Sequence, residues 1–289
     1  MTEKSQVAVV TGASGYLGSQ ICQTLQSMGW QVIKFTGSQM EVPGQIVRYE
    51  LAEPIIAQAS DALRKADVLI HAAYNLTLTG AEDIWRVNVE GTRRLLRAAE
   101  EAGVGRVIVL SSMSAFDGTT QLYGRAKLDI EEITVESGGC AIRPGLVYGK
   151  EAGGMAGALR KLTALPVVPV IAGGAGVYTV SEEDLMKTIA LLASALTLDP
   201  EVISVAHPSR VTFTGLLSTI ARQENRHCRF VPVPWRMVYW LLRTAEFMHV
   251  PLPFRADSLL GLVYAAPSLL GRERIASLNI TFRPFSSLA

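Results

Sequence analysis

Short apolar runs alternate with amphipathic stretches through the first half of the chain. Val7–Thr11, Gln31–Phe35, Val68–Ala72, Arg106–Leu110 and Cys140–Arg143 read as strands. Gly18–Met28, Ile84–Ala102 and Tyr123–Glu136 carry the spacing of helices between them. Runs such as VAVV and VIVL show no polar alternation, as expected of a parallel sheet covered on both faces. Strand and helix in turn predict βαβ units, and hence an α/β fold with a doubly wound parallel sheet.

The texture changes after Gly149. Gly153, Gly154 and Gly157 cluster, then Gly173, Gly174 and Gly176, with Pro166 and Pro169 between the two groups. A helix over Glu182–Ala195 and a strand over Val202–Ala206 follow, and Pro232–Leu269 is rich in Trp, Leu, Met and Pro. Residues 1–150 are therefore expected to form the main α/β domain, with one more helix and strand returning to it at about 180–207. Residues 151–179 and 208–289 are expected to form a smaller substrate-binding lobe. No internal repeat suggests a solenoid or propeller.

Composition narrows the function classes. Of 289 residues, 49% are hydrophobic and 18% charged, which describes a folded chain rather than a disordered one. A net charge of +1 supplies no overall field for nucleic acid or an anionic membrane. The arginines 93, 94 and 97 read as a solvated helix face. Pro166 and Pro169 break one long apolar stretch and Arg243 and Glu246 another, so no membrane span is expected. MTEKSQ leads straight into a strand pattern, so no secretory leader is expected there. Cys22, Cys140 and Cys228 form neither a disulfide framework nor a metal pair, and His71, His207, His227 and His249 lack metal-ligand spacing. These readings point to a cytoplasmic protein without a metal. Trp235, Tyr239, Trp240, Leu241 and Leu242 fit an amphipathic helix, read as lobe core or pocket wall, with a membrane-interface or partner patch as the minor reading.

The first strand runs into VTGASGYLG, with Gly12, Gly15 and Gly18 at GxxGxxG spacing ahead of a helix. The first glycine permits a tight turn, the second lets backbone approach a pyrophosphate, and the third lets helix and strand pack closely. The helix N-terminus offers free N–H groups and a positive dipole end to phosphate. In this strand–turn–helix context the motif predicts dinucleotide binding. The second strand ends in Thr36, Gly37 and Ser38 with no acid to hold the ribose 2′-hydroxyl of NAD. Two hydroxyls there lean the cofactor reading, NAD(P), slightly to NADP.

Tyr123 and Lys127, four apart on a predicted helix, share one face. A free tyrosine has a pKa of about 10. A neighbouring ammonium favours the phenolate and is expected to bring it toward the range of acid–base catalysis. Asn88 sits inside a helix, where its amide competes for backbone hydrogen bonds, so a polar task is expected of it.

Taken in order, TGASGYLG, ADVLIHAAY, WRVNVEGTRRLLRAAEEAGVGRVIVLSS, YGRAK and IRPGLVYG resemble the extended or atypical short-chain dehydrogenase/reductases, close to the NAD-dependent epimerase/dehydratase group. The resemblance spans about residues 7–149. It implies a Rossmann-type fold, with Tyr123 exchanging a proton with the substrate oxygen while hydride passes to or from nicotinamide. Lys127 would also hold the nicotinamide ribose, and Asn88 would serve a proton relay. Ser14, Tyr16, Leu17, Leu51, Ala72, Ala73 and Pro144, with the three glycines, Thr36 and Ser38, complete the implied cofactor contacts. The serine that orients the substrate is the departure. Met113 stands at one counted position, and Ser111, Ser112 and Ser114 surround it; Ser112 is favoured. The implied partner is a small-molecule substrate, and pairing as a homodimer is implied by resemblance alone. The expected activity is reduction or oxidation of a small, fairly apolar carbonyl or alcohol. A nucleotide-sugar epimerase or dehydratase is one alternative; a non-catalytic cofactor-binding sensor or assembly protein is another.

Overall fold

The structure, a computed structural model, describes residues 5–37, 45–149, 153–171, 176–248, 250, 256–264 and 266–285. Among them the strands are β1 (Val7–Thr11), β2 (Gln31–Thr36), β3 (Gln45–Arg48), β4 (Val68–His71), β5 (Arg106–Leu110) and β6 (Cys140–Pro144). Farther along come β7 (Leu146–Tyr148), β8 (Val167–Ile171), β9 (Thr179–Ser181), β10 (Val202–Val205) and β11 (Arg229–Val233). One seven-stranded, all-parallel sheet runs β10-β6-β5-β4-β1-β2-β3. The chain steps outward from β1 to β3, then crosses back to β4 on the other side of β1. Winding reverses at the β1/β4 boundary, and the carboxyl ends on either side open a crevice there.

Side-chain alternation explains the apolar strands. Ala8 and Val10 of β1 face a core shared with α1 (Tyr16–Ser27) through Ile21, Cys22 and Leu25. Val7 and Val9 face the other, which holds α2 (Ala57–Leu63), α4 (Glu90–Glu101) and α5 (Leu122–Glu136). Both faces are covered, so neither is polar. Later in the chain, α7 (Glu182–Ser194) packs in the first core and β10 pairs with β6, Val202 opposite Ala141. Ser181 caps α7 by accepting from the Asp184 N–H at 3.0 Å, with three acidic residues in the first turn.

The long helix expected over Ile84–Ala102 differs. It comprises α3 (Ala81–Ile84), a π-helical turn at Trp85–Val89 and α4. A π turn inserts one residue into the ladder and re-aims the side chains around it. Asn88 lies in this turn.

Outside the main sheet, β7 pairs with β9 and β8 with β11. A separate apolar cluster joins α6 (Gly154–Leu162), β8 and α8 (Phe213–Gln223) through Leu159, Val168, Leu216 and Leu217. Another joins α9 (Trp235–Phe247) to α10 (Ala256–Val263) through Leu242 and Leu259, and α11 (Arg272–Ser277) adds Ile275 to the sheet core.

Candidate active site

The glycine turn lies at the crevice. Gly12 holds φ +65°, and a β-carbon built on it would stand 2.8 Å from the Ala73 nitrogen. One on Gly18 would collide with the Gly12 carbonyl oxygen, so strand and helix meet at a distance only glycine permits. The start of α1 has no side-chain cap and no acidic residue in its first turn. Among the described residues no side chain competes for this end, although the Gly15 N–H already bonds the Gly12 carbonyl at 2.8 Å, and the chemistry fits a pyrophosphate. Ser14 and Gly15 are exposed at this end, and Thr36 donates to the Ser14 hydroxyl at 3.0 Å. Leu17 packs against the sheet core. Leu51 is buried against α4, its carbonyl accepting from Arg94 at 2.7 Å. Pro144 ends β6 on the same edge, opposite Val205.

A buried hydrogen-bond chain ties this turn to Asn88. The Asn88 side-chain oxygen accepts from the Asn75 N–H at 2.7 Å, and its amide donates to the Asn75 carbonyl at 3.3 Å. Its own carbonyl accepts from the Thr92 hydroxyl at 2.7 Å. That spends the one Thr92 proton, so His71 Nε2 donates to Thr92 across 2.9 Å. Nδ1 is then the acceptor for Thr11 Oγ1 at 2.7 Å, and Thr11 in turn accepts from the Ala73 N–H at 3.2 Å. His71 is a core residue, as read from sequence, but one with both ring nitrogens engaged.

Burial, with help from the Lys127 charge, holds the His71 pKa down at about 3. Below about 6.5 the unfolded chain takes up a proton that the folded chain refuses. Stability is therefore expected to fall between pH 6.5 and 3, by about 2 kcal/mol at pH 5 from this group. Urea melts of wild type and His71→Asn at pH 7 and 5 check this; an equal slope in both proteins refutes it.

Tyr123 and Lys127 sit in the first turns of α5, at the carboxyl ends of β4 and β5. Burial raises the Tyr123 pKa, and hydrogen bonding by the Ser112 side chain opposes that rise. The Ser112 oxygen accepts from the Ser114 N–H at 3.1 Å, which leaves its proton for the phenol. Of the three serines, Ser112 is the one whose side chain bears on the Tyr123 phenol. Ser111 turns the other way and donates to Glu131, which also binds Arg143 through two bonds of 2.7 and 2.6 Å. Ser114 faces α10, where a β-carbon on Gly261 would lie 3.1 Å from its hydroxyl.

Lys127 departs from the expected arrangement. Its ammonium donates to the Leu110 carbonyl at 2.6 Å and lies 4.5 Å from the Tyr74 ring centroid. The Tyr74 ring also meets Tyr123 edge-on at 5.1 Å. Burial lowers the Lys127 pKa to about 8 while Glu131 pulls it up. The phenol is consequently raised by burial where the sequence predicted that the ammonium would lower it. An i,i+4 pair shares a face, but a partner carbonyl and an aromatic ring decide where a flexible lysine ends.

Other residues also depart from the sequence reading. Tyr16 heads α1, but its phenol donates to Glu182 of α7, with Gln20 bonding the same oxygen at 3.2 Å. Burial and the Glu182 carboxylate push the Tyr16 phenol up. Its side chain bridges α1 and α7, and its ring lies against Gly153. Ser38 lies outside the described residues. Two residues that sequence reasoning missed stand out. Glu131 carries the buried ion pair beneath Ser111. Glu50 brings a carboxylate to the end of β2: a β-carbon on Gly37 would stand 2.9 Å from Glu50 Cγ and 3.6 Å from Oε1. Arg48 pairs with Glu50 at 2.9 Å. No local signal ties Glu50 to β2, because it follows β3. Among the described residues no group of His, Cys, Asp and Glu could hold a metal, and no helix is long and apolar enough to cross a membrane.

A Rossmann-type sheet with an open glycine cradle at its switch point defines a dinucleotide-dependent enzyme. The chain belongs to the NAD dependent epimerase/dehydratase family, whose model matches residues 8–165. The ceramide reductase of Caulobacter vibrioides is 25% identical over 242 residues, covering 81% of this chain and 75% of that protein. An uncharacterized Mycobacterium tuberculosis protein is 26% identical over 216 residues, which cover 74% of this chain and 23% of that much longer one. The solved structure of MoeE5 in complex with UDP-glucuronic acid and NAD matches with a TM-score of 0.71 at 20% identity, covering 97% of this chain and 94% of that one.

Proposed function

We propose that this enzyme is an NAD(P)-dependent oxidoreductase of the short-chain dehydrogenase/reductase type acting on a small, fairly apolar carbonyl or alcohol. The observation that carries the reading is the geometry of one crevice: Gly12 closes on Ala73, and Tyr74, next along the chain, meets Tyr123 edge-on at 5.1 Å. Gly12, Gly15, Gly18 and the start of α1 would hold the cofactor's pyrophosphate. When bound, the nicotinamide supplies or accepts the hydride.

The chain's own residues handle the proton. In reduction, the Ser112 and Tyr123 hydroxyls orient the substrate's carbonyl oxygen, and Tyr123 hands over its proton as charge builds there. Ser112 then stabilises the phenolate, and the Lys127 ammonium, held one turn away on the Leu110 carbonyl, would hold the nicotinamide ribose. With a pKa of about 8, Lys127 is mostly charged at neutral pH. Asn88, fixed by Asn75 on both amide atoms, holds the backbone after Ala73 in register with the crevice. The ceramide reductase relative supports an apolar substrate. Titration with NADH followed by turnover over apolar ketones, aldehydes and UDP-glucose tests the function. NADH-linked reduction of an apolar carbonyl supports it; epimerisation of the nucleotide sugar moves the assignment to the rival. Cofactor binding with turnover of nothing defeats both.

Cofactor choice turns on Glu50. Thr36 and Ser38 alone would favour a 2′-phosphate, but a carboxylate facing Gly37 repels one and suits a free 2′-hydroxyl. The reading therefore moves from NADP to NAD. NADH is expected to bind at least about tenfold tighter than NADPH, and Glu50→Gln, which also releases Arg48, to erase most of that ratio. An unchanged ratio in the variant removes Glu50 from the choice.

A further inference from the structure

The outer face of α9 is apolar where a surface helix is normally polar. Met237, Trp240, Leu241 and Met248 are 65, 66, 68 and 65% exposed. Their spacing places them along one stripe of the helix. The opposite stripe, Val238, Tyr239 and Leu242, packs on α10. Arg236 and Arg243 line one flank of the exposed stripe, with Arg236 stacked on Trp235 at 5.5 Å and Arg243 paired with Glu246 at 3.5 Å. Glu246 is otherwise used internally, accepting from the Ala256 N–H at 2.8 Å.

Charge identifies what covers the stripe. Residues 208–289 hold ten arginines against four carboxylates, although the whole chain carries a net charge of only +1. Arg274 and Arg283 of these are taken by Asp199, Glu201, Glu183 and Asp184 from outside the segment, whereas Arg236 and Arg243 stand beside the stripe itself. Apolar side chains with arginines at the boundary match a bilayer surface with anionic headgroups, where guanidinium groups reach phosphate while Trp and Leu enter the acyl boundary. At 13 residues α9 is about 20 Å long, enough to lie on a bilayer and too short to cross it.

The stripe is also connected to the chemistry. The inner face of α9 packs on α10, and α10 presents Gly261 to Ser114, two residues from Ser112. Trp235 and Tyr264 close the same pair of helices with ring centroids 5.8 Å apart.

We propose that the outer face of α9 docks on an anionic lipid bilayer and holds α10, which reaches Ser114, close to it, so that a membrane-dissolved carbonyl or alcohol is presented to Tyr123 from the bilayer side. The docking stands by itself; the source of the substrate rests on the function proposed above.

Flotation with vesicles of phosphatidylcholine alone, and of phosphatidylcholine mixed with phosphatidylglycerol, tests the docking. Wild type is expected to bind the mixed vesicles at least about tenfold tighter, and to lose that margin in high salt. The double variant Trp240→Ser/Leu241→Ser is expected to lose binding by about a hundredfold, with thermal midpoint and NADH affinity unchanged. Should that variant fold poorly, Met237→Gln gives the same reading with a smaller loss, and Arg236→Glu/Arg243→Glu abolishes the preference for anionic lipid. Three results overturn the proposal: wild type that floats with neither vesicle, a stripe variant that floats like wild type, or a wild-type dimer that Trp240→Ser/Leu241→Ser splits. In the last case a second copy covers the stripe. Flotation needs no turnover. An enzyme that floats but reduces no carbonyl sinks the function and leaves the docking; one that reduces soluble carbonyls but never floats does the reverse.

Discussion

Tyr123→Phe is expected to lower kcat by roughly 10²–10⁴-fold while NADH affinity stays within about twofold. The substitution keeps the ring that meets Tyr74 edge-on at 5.1 Å and removes only the hydroxyl facing Ser112. The cofactor contacts proposed above lie at Gly12 and the start of α1, so binding is expected to be spared. Single-turnover kinetics separate this from slow product release, and an unchanged rate of hydride transfer removes Tyr123 from the mechanism. The pH profile adds a directional check. Burial holds the phenol protonated through the neutral range, as an acid for reduction requires. For alcohol oxidation the phenolate is the base, so the rate is expected to rise with pH. Ser112→Ala removes the hydrogen bonding that lowers this pKa, and the oxidation limb is expected to move to higher pH. A limb that stays in place, or moves down, would show that Ser112 does not act on the phenol.

Glu131→Gln is expected to destabilise the fold by about 3–5 kcal/mol, which lowers the thermal midpoint on the order of 10 °C. The Glu131 and Arg143 side chains are 4% and 9% exposed and joined by two hydrogen bonds, with Ser111 on the same carboxylate. The neutral amide leaves the Arg143 charge buried without its counter-charge, and that uncompensated charge, more than the lost attraction, sets the size of the effect. Glu131→Leu with Arg143→Leu should therefore be much closer to wild type than Glu131→Gln. Equal losses in the double and single variants would refute a buried-charge origin. Glu131 also pulls the Lys127 pKa up, so removing it should take that lysine further below about 8, readable by NMR titration.

Two of these effects come from residues with different visibility in the sequence. Tyr123 belongs to a YxxxK spacing that can be read along one helix. Glu131, two turns on, looks like any helical glutamate, and only the arrival of Arg143 from β6 and Ser111 from the end of β5 makes it a buried ion-pair partner. The same division holds for the serines. Ser111, Ser112 and Ser114 follow a strand end, where the turn alone decides which way each side chain points. The backbone turns Ser111 toward Glu131, Ser112 toward the phenol and Ser114 toward α10.

By itself the sequence determined the doubly wound sheet, the cradle at Gly12, Gly15 and Gly18, and the shared helix of Tyr123 and Lys127. All three follow from local periodicity and from the φ freedom and small size of glycine, which act over a few residues. Tertiary structure decided the rest. It drew Tyr16 to Glu182, 166 residues away, and engaged Lys127 with Leu110 and Tyr74. It placed Asn88 in a π turn and delivered Glu50 from beyond β3 to the end of β2. At Lys127 and Asn88 a polar group is desolvated by packing and must take the partner that parallel strand order and crossover helices bring within reach. Spacing along the chain does not encode that choice.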